Sequence, residues 1–448
     1  MIAQTPLPLS RIAAYALPAF PLAALGLPIG VFIPPLYAEH TTLALGLVGT
    51  LLFISRIGDV FTDPTFGLIA DRMRPRLGRR RFWMLVSLPI LMFSVWKLFH
   101  PPADSGALYL VLWLSVVYVG YTMAFLSHLA WGAELSSLYD DRSRILGWRE
   151  VVVTAGMLSV LILPALLVEG ATDADVALPR AHIMSLFVII FLPITIGLTC
   201  LLVPDPLPPI ESMDSSRSIF DDLRAIAQNT RMPTLIIADL ATTTAIGMTA
   251  SLYVWVTVHV LQLADSTSVI LIAYFAAAVI SVPLWMRLSL RREKHTTYSA
   301  AMLYGALTLG TYALVPGHGL FWALLVSALY GCAYGAGFFL GRAIVADIAD
   351  EDELETGQKR MAVFFSGLTL NHKIGFALGP LIAYNVLDLV GFDPNGVVTQ
   401  AQADWLLGVF IGLPVAFLIF SGLMIRRHTL TRAEHDKIRK ALNTPGAL

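Results

Sequence analysis

The stretch LVLWLSVVYVGYTMAFLSHLAWGAEL (residues 110–135) is apolar on every side and carries one charged residue, Glu134. An α-helix needs about 20 apolar residues to cross roughly 30 Å of hydrocarbon, and this stretch is long enough. A strand of a membrane β-barrel would instead alternate apolar and polar residues over about ten positions. The stretch therefore predicts a membrane-spanning α-helix.

Similar apolar runs recur along the whole chain. Of its 448 residues, 56% are hydrophobic and 14% are charged, with a mean hydropathy of +0.72, whereas about a quarter of the residues of a soluble domain are charged. The pattern predicts an all-α membrane protein with twelve transmembrane helices in two pseudo-symmetric six-helix bundles. The predicted spans lie near residues 11–37, 42–70, 82–100, 106–137, 145–168, 182–203, 233–262, 267–290, 296–315, 319–348, 361–389 and 403–425.

The order of the runs predicts four segments. These are a first bundle (residues 1–203), a cytoplasmic linker with an interfacial helix (204–232), a second bundle (233–428) and a cytoplasmic tail (429–448). The fourth and tenth spans align at a constant offset, which pairs Tyr121 with Tyr334, Phe125 with Phe338, and AEL (133–135) with ADI (346–348). An acidic stretch follows each copy, as expected of duplicated halves.

Basic residues concentrate in alternate loops, above all in DRMRPRLGRRR (residues 71–81). Lys294 belongs to another such loop and is expected in water. Short cytoplasmic loops retain basic residues during insertion, so we expect both termini in the cytoplasm and the protein in a bacterial inner membrane. Cys200 and Cys332 lie in apolar runs and are expected to be packing residues.

Composition also limits the partners of the chain. The net charge of −1 argues against nucleic acid. We expect a monomer in the lipid bilayer that takes a small-molecule substrate, without a cofactor or a structural metal ion.

Charged residues at membrane depth are energetically costly, so each is a candidate site residue. In the second span Arg56, Asp59 and Asp63 recur at spacings of three and four, which places both carboxylates on one helical face with the arginine one turn away. Pro64 frees a backbone carbonyl one turn earlier, which an ion or a water could use. The pattern makes these residues candidates for a functional site; the alternative is a structural pair of Arg56 and Asp59 that fixes helix packing.

The fourth and fifth spans add aromatic and basic candidates. His128 lies well within the fourth span, and imidazole, which titrates near neutral pH, suits a proton relay. Tyr121 and Trp131 of the same span are candidates to line a substrate cavity. Glu134 and Arg149 lie near the cytoplasmic interface, where they either pair as part of a gate or bind the ligand directly.

The second half carries its ionisable residues in the seventh, tenth and eleventh spans. Lys373 is flanked by apolar residues and glycines, so its ammonium group is expected to face a polar cavity; a structural role is the alternative. Asn371 beside it is a candidate ligand, while Asp239 and His372 receive no role. The acidic run DIADEDELE (residues 347–355) is expected to be a solvated loop cap, because its carboxylates lack the fixed spacing of a metal cluster. Candidate gate residues are Arg56, Asp71, Glu134, Arg342 and Asp347.

Three of these stretches together resemble a known family. RIGDVFTDPTFGLIADRMRPRLGRRR (residues 56–81) resembles the second helix and following loop of the glycoside-pentoside-hexuronide:cation symporters, the melibiose permease group of the major facilitator superfamily. AEL followed by YDDRSRILGWRE (139–150) and ADIADEDELETGQKRMAVFFSGLTLNHKIG (346–375) resemble later regions of that family. The resemblance implies the major facilitator fold and cation-coupled symport of a sugar, glycoside or uronate by alternating access.

The resemblance also implies roles for individual residues. Asp59 and Asp63 match the cation-site carboxylates of the family, and Thr62 stands where a polar ligand is common. Lys373 matches a lysine near that site, and Arg149 falls close to an arginine that the family uses. The expected substrate-binding residues are Tyr121, His128, Trp131, Arg149, Asn371 and Lys373, and the expected coupling residues are Asp59, Asp63, Thr62, His128 and Lys373.

Two departures from the family pattern bear on the ion and the cargo. The cation-binding aspartate of the fourth helix is replaced near Phe125, and the first span has several prolines in place of a glycine-rich, acidic sugar-binding pattern. Since sodium needs several oxygen ligands, we expect a proton as the coupling ion, with sodium as the alternative. A carrier of lysolipids or other amphipathic metabolites is the alternative function. An enzyme is not expected, because neither a fixed nucleophile nor a metal set is evident. ATP-driven transport is not expected either, because no Walker motif (GxxxxGK followed by Ser or Thr) occurs.

Overall fold

The computed structural model describes residues 7–73, 75–135, 139–167, 177–205, 229–357, 361–393, 396 and 398–442. Within these ranges the regular structure is helical throughout. Most of the predicted linker, including its interfacial helix, falls in residues 206–228 and so lies outside the described residues.

The chain divides into two compact units, Met1–Asp214 and Ser215–Leu448, and each is described by itself. The first unit contains α1 (Leu9–Ala16), α2 (Ala19–Val31), α3 (Ile33–His40), α4 (Leu45–Arg72), α5 (Arg79–Phe99), α6 (Ala107–Glu134), α7 (Tyr139–Leu167) and α8 (Ala177–Leu202). The second contains α9 (Met232–Trp255), which continues as a π-helical turn (Val256–Val260), then α10 (Thr267–Arg291), α11 (Lys294–Gly310), α12 (Leu320–Thr356), α13 (Met361–Leu389), α14 (Gln400–Ile425) and α15 (Arg432–Leu442). Short 3-10 turns over Ala264–Ser266 and Thr311–Leu314 flank α10 and α11. The segment boundaries drawn from the sequence stay a prediction.

Among the described residues, 8 helical segments are long and apolar enough to cross a membrane. Large apolar side chains such as Leu108, Leu201 and Ile280 are exposed on their outward faces. Exposed apolar surface of this extent fits contact with lipid rather than with water. The predicted class, an all-helical membrane protein, is therefore confirmed.

The first predicted span, near residues 11–37, is built from three consecutive helical segments. Leu17 and Pro18 separate α1 from α2, and Phe32 separates α2 from α3. Proline lacks an N–H to donate and its ring clashes with the carbonyl four residues earlier, so it favours the start of a helix. Pro18 accordingly precedes the first residue of α2, and a proline stands in the first turn of α3.

The acidic run at residues 347–355 corrects one sequence expectation. It is a continuation of the 37-residue helix α12, which ends where Gly357 adopts a left-handed conformation with φ of 68°. Asp350 and Asp352 are buried in it rather than solvated. The carboxylates are buried because basic side chains from distant segments pair with them. Arg231, for example, lies 2.9 Å from Glu351.

The C-terminal helix α15 lies against the acidic end of α12. His435 places its Nε2 atom 3.0 Å from Asp350 Oδ2 and 3.4 Å from Asp347 Oδ1. Arg432 donates its guanidinium hydrogens to the carbonyl oxygens of Leu290 and Ser289 at the end of α10. The tail helix is thus tied to two other helices of the second unit.

His428 lies in the short connection between α14 and α15 and is buried. Burial lowers the pKa of its imidazole to about 4, and the neighbouring His295 and Arg231 also lower it. The ring centroid of His295 is 5.9 Å away. His428 is therefore neutral in the folded protein at physiological pH.

Candidate functional site

The predicted coupling residues of the first unit lie on α4, where it packs against α6. Thr122 of α6 donates its hydroxyl hydrogen to Asp63 Oδ1 at 2.7 Å. Two turns earlier on the same face of α4, the guanidinium of Arg56 lies 4.2 Å from the ring centroid of Tyr118. The Asp63 carboxylate is therefore half-buried and held by a hydroxyl across a helix interface, with a positive charge on the same helical face.

Two neighbours of Asp63 complete the description of this face. Thr62 has a buried hydroxyl that makes no hydrogen bond among the described residues. The backbone of Asp59 is part of α4, whereas its side chain lies outside the described residues. The predicted pairing of Arg56 with Asp59 accordingly stays a prediction.

Two aromatic rings of α6 near Thr122, those of Tyr121 and Phe125, lie beside a buried cation of α7. The guanidinium of Arg149, on α7, lies 5.4 Å from the ring centroid of Phe125. The ring of Phe125 stacks on Tyr121 with centroids 5.4 Å apart and an angle of 13° between the planes. Parallel aromatic rings beside a guanidinium offer apolar surface and a fixed positive charge, which suits a sugar ring that bears an acidic group.

His128 and Trp131 occupy a different environment, because both are fully buried by neighbouring helices. The Nε2 atom of His128 is 2.7 Å from the carbonyl oxygen of Tyr15, and the two rings stack at 4.4 Å. Trp131 donates its indole hydrogen to the carbonyl oxygen of Pro204 at 2.8 Å. These contacts explain both positions by packing, and the predicted roles of the two residues in binding stay predictions.

In the second unit, Asp239 of α9 forms the most deeply buried polar cluster around a carboxylate that the described residues contain. Its Oδ2 accepts a hydrogen bond from Asn371 Nδ2 at 2.7 Å, and its Oδ1 lies 3.1 Å from His372 Nε2. Asn371 also donates to the carbonyl oxygen of Ile236. With 2% exposure, the carboxyl group of Asp239 has its contacts from side chains of α13 rather than from solvent.

A seam of small residues brings α9 and α13 together at this cluster. Gly375 and Gly379 follow Asn371 at intervals of four, and Thr243 and Gly247 follow Asp239 at the same interval. A Cβ atom on Gly379 would overlap the backbone of Gly247, and one on Gly375 would overlap the Thr243 side chain. Small residues at this spacing allow helix backbones to approach closely in a membrane. The close approach explains how the short side chains of Asp239 and Asn371 reach each other.

The remaining predicted residues are distributed along the two units. Lys373 is half-buried on α13, two residues beyond Asn371, and Arg342 is exposed on α12. Asp347 binds Lys294, whose Nζ atom lies 2.6 Å from Oδ2. This contact corrects the expectation for Lys294, which begins α11 and pairs with a carboxylate rather than lying free in a loop. The side chains of Asp71 and Glu134 lie outside the described residues.

Sequence reasoning noted Asp239 and His372 without giving them a role, and it did not single out Thr122 or Tyr118. A signal existed for the latter two, since they share one face of α6 at a spacing of four and face the candidate carboxylate helix. Among the described residues, no group of three or more His, Cys, Asp or Glu side chains is arranged to hold a metal ion.

A family model described as MFS/sugar transport protein matches residues 14–432 of this chain. The chain is 24% identical to an uncharacterized symporter of Synechocystis sp., over 88% of this chain and 89% of that protein. It is 22% identical to the isoprimeverose transporter of Lactiplantibacillus pentosus, over 89% and 84% of the two chains. It is 20% identical to the sodium-dependent lysophosphatidylcholine symporter 1-B of Danio rerio, over 96% and 88%.

The fold is also similar to solved structures. The crystal structure of the nucleoside transporter NupG superposes with a TM-score of 0.68, over 94% of this chain and 99% of that one. The two sequences are 13% identical, so the likeness concerns the fold alone.

Proposed function

Because the chain belongs to the MFS/sugar transport protein family, in agreement with its predicted resemblance to the glycoside-pentoside-hexuronide:cation symporters, we propose that it carries a sugar, glycoside or uronate into the cell together with a cation. It is a transporter and not an enzyme. The observation that carries the proposal is the Asp63 carboxylate, held by Thr122 beside the stacked rings of Tyr121 and Phe125. The hydroxyl that holds the coupling carboxylate and the stacked rings thus lie on one short segment of α6.

We also propose the number of spans, their grouping and the orientation of the protein in the membrane. Twelve spans form two six-helix bundles, residues 1–203 and 233–428, and transport proceeds by alternating access. The protein acts as a monomer in a bacterial inner membrane with both termini in the cytoplasm. The concentration of arginines between α4 and α5 and at the end of α14 supports this orientation.

The proposed coupling ion is the proton. Asp59, Asp63 and Thr62 form its site in the first unit, and Asp239 with His372 forms a second exchangeable pair in the second unit. A sodium ion requires several oxygen ligands, whereas a proton requires one carboxylate, and Phe125 contributes an aromatic ring in place of an oxygen. The contact between Asp239 and His372 supports the proposal, because one proton bridges such a pair.

The proposed substrate-binding residues of the first unit are Tyr121, Phe125 and Arg149, and those of the second unit are Asn371 and Lys373. The aromatic rings bind the apolar face of a sugar, and the cations bind a carboxylate or hydroxyl groups. His128 and Trp131 position α6 against its neighbours, and their predicted parts in binding and coupling remain in the proposal.

The proposed gate rests on charged residues near the helix ends. Asp347 is its best-supported member, because its pair with Lys294 ties α12 to α11. The other proposed members are Arg56, Asp71, Glu134 and Arg342.

Uptake into proteoliposomes under an imposed proton or sodium gradient tests this function. A panel of glycosides and uronates is offered to the wild type and to Asp63→Asn, Asp59→Asn and Asp104→Asn variants; Asp104 is an exposed loop residue and serves as the control. We expect the first two variants to lose accumulation and to retain exchange at equal concentrations, and Asp104→Asn to behave as the wild type. Accumulation by all three variants would refute the α4 site. Uptake that requires sodium and moves no protons would refute proton coupling.

A lysolipid carrier is the second candidate, favoured by the similarity to the lysophosphatidylcholine symporter. Lysophosphatidylcholine in the same panel separates the two. Accumulation of this lipid without any glycoside or uronate would replace the sugar assignment.

A further inference from the structure

Four arginines line an open cavity of 560 Å³ at one end of the second unit. Arg291 and Arg292 come from the end of α10, Arg426 from the end of α14, and Arg432 from the start of α15. One acidic residue, Glu293, belongs to the same lining. The cavity therefore carries an excess of three positive charges.

The positive charges are not neutralised within the described part of the chain. Glu293 uses Oε2 to accept a hydrogen bond from the backbone N–H of Arg432 at 2.9 Å. Among the described residues, the guanidinium groups of Arg291, Arg292 and Arg426 form no ion pair. Donors that converge on an open cavity without a carboxylate partner indicate an anion as the occupant.

The surface that leads away from the cavity is apolar and exposed. On α10, Ile280 and Leu284 precede Arg291 at helical spacing and are 72% and 63% exposed. On α14, Leu423 precedes Arg426 by one turn and is 53% exposed. Arg291 and Arg426 thus lie at the ends of helices whose earlier turns expose large apolar side chains, with Arg287 exposed between Leu284 and Arg291, as expected for residues near the depth of lipid headgroups.

Helix α11 also lines the cavity and leads to exposed apolar surface. Thr296, Ala300 and Leu303 lie on one face of α11 and line the cavity. Leu307, one turn further on, is 70% exposed. An occupant with an anionic head in the cavity has room for its acyl chains along this face.

We propose that this cavity binds the phosphodiester headgroup of an anionic membrane phospholipid, with its acyl chains along α10, α11 and α14. Arg291, Arg292 and Arg426 contact the phosphate oxygens, and Arg432 holds the wall in place through its bonds to the end of α10. This proposal rests on the fold of the second unit and does not depend on the proposed transport function.

The test measures lipid binding to the purified full-length protein by native mass spectrometry and by thermal unfolding in detergent. The probes are phosphatidylglycerol, phosphatidylcholine with the same chains, and inorganic phosphate. Arg426→Gln is compared with Arg427→Gln, which removes the same charge at an adjacent exposed position outside the cavity.

We expect phosphatidylglycerol to bind and to raise the melting temperature more than phosphatidylcholine does. Its affinity should fall about fivefold in Arg426→Gln and stay near the wild-type value in Arg427→Gln. An equal loss of affinity in the two variants would show that the lipid responds to general surface charge, and it would overturn the proposed site. Stabilisation by inorganic phosphate, without preference for phosphatidylglycerol, would assign the cavity to a soluble anion and overturn the lipid assignment. Mass spectrometry detects binding independently of stability, so a weakly folded variant does not obscure the result.

Discussion

Replacing Asp239 by asparagine separates the ionisation of this carboxylate from its part in packing. The side chain is 2% exposed, and its two oxygens contact Asn371 at 2.7 Å and His372 at 3.1 Å. An asparagine of the same shape accepts from Asn371 through its oxygen and donates to His372, whose Nε2 then acts as the acceptor. The variant therefore keeps both hydrogen bonds and loses the ability to bind or release a proton.

The expected loss of stability follows from these two bonds. A hydrogen bond to a charged group contributes about 1.5–3 kcal/mol and a neutral one about 0.5–1.5 kcal/mol. Asp239→Asn should therefore lower the free energy of unfolding by about 2–3 kcal/mol. Asp239→Ala removes both bonds and leaves buried donors behind, so its loss should reach about 3–6 kcal/mol.

Transport and unfolding are measured on the same preparations. We expect Asp239→Asn to fold and exchange substrate at equal concentrations, and to lose accumulation under a proton gradient. Asp388→Asn, an exposed carboxylate on α13, is the control and should accumulate substrate normally. Wild-type accumulation by Asp239→Asn would show that this carboxylate has a structural role alone. Equal unfolding of the Asn and Ala variants would refute the hydrogen-bond assignment.

Three further outcomes are expected. Gly379→Leu should destabilise the protein by about 1–3 kcal/mol or more, because its side chain meets the backbone of α9, while Gly408→Leu, where nothing lies within 4 Å, should melt as the wild type does. The pKa of His428, about 4 in the fold against an ordinary 6.5, means that the unfolded chain takes up the proton first. Stability should therefore fall by about 3 kcal/mol as the pH drops from about 6.5 to about 4, and His428→Gln should show a shallower decrease in melting temperature. Lys373→Ala should impair uptake far more than Lys437→Ala on the exposed tail helix, and equal small effects would contradict a role for Lys373 in the site.

The helices could be predicted because each apolar run carries its own signal of length and hydropathy. Residues 267–290 and 361–389 were predicted as spans, and the helices there are Thr267–Arg291 and Met361–Leu389. The acidic run at residues 347–355 was predicted wrongly because its own sequence does not carry the signal for its burial. Its burial depends on partners such as Arg231 and His435 that lie far away in the sequence.

The candidate site was predicted only where spacing within one helix suffices. Arg56 and Asp63 could be placed on one face of the second span from their interval. Asp239 could not be given a role, because its partner Asn371 lies 132 residues away and joins it through packing of small residues. Helical spacing holds no information about which helix lies opposite.

The seam between α9 and α13 also has a consequence for the synthesis of the protein. Asp239 leaves the ribosome 132 residues before Asn371, and at about 5–20 residues per second this interval lasts roughly 7–26 s. During that time α9 enters the bilayer with an acidic group whose partners do not yet exist. The nascent chain must therefore keep this helix beside the insertion machinery, or insert it with the carboxyl group protonated, until the later helix arrives.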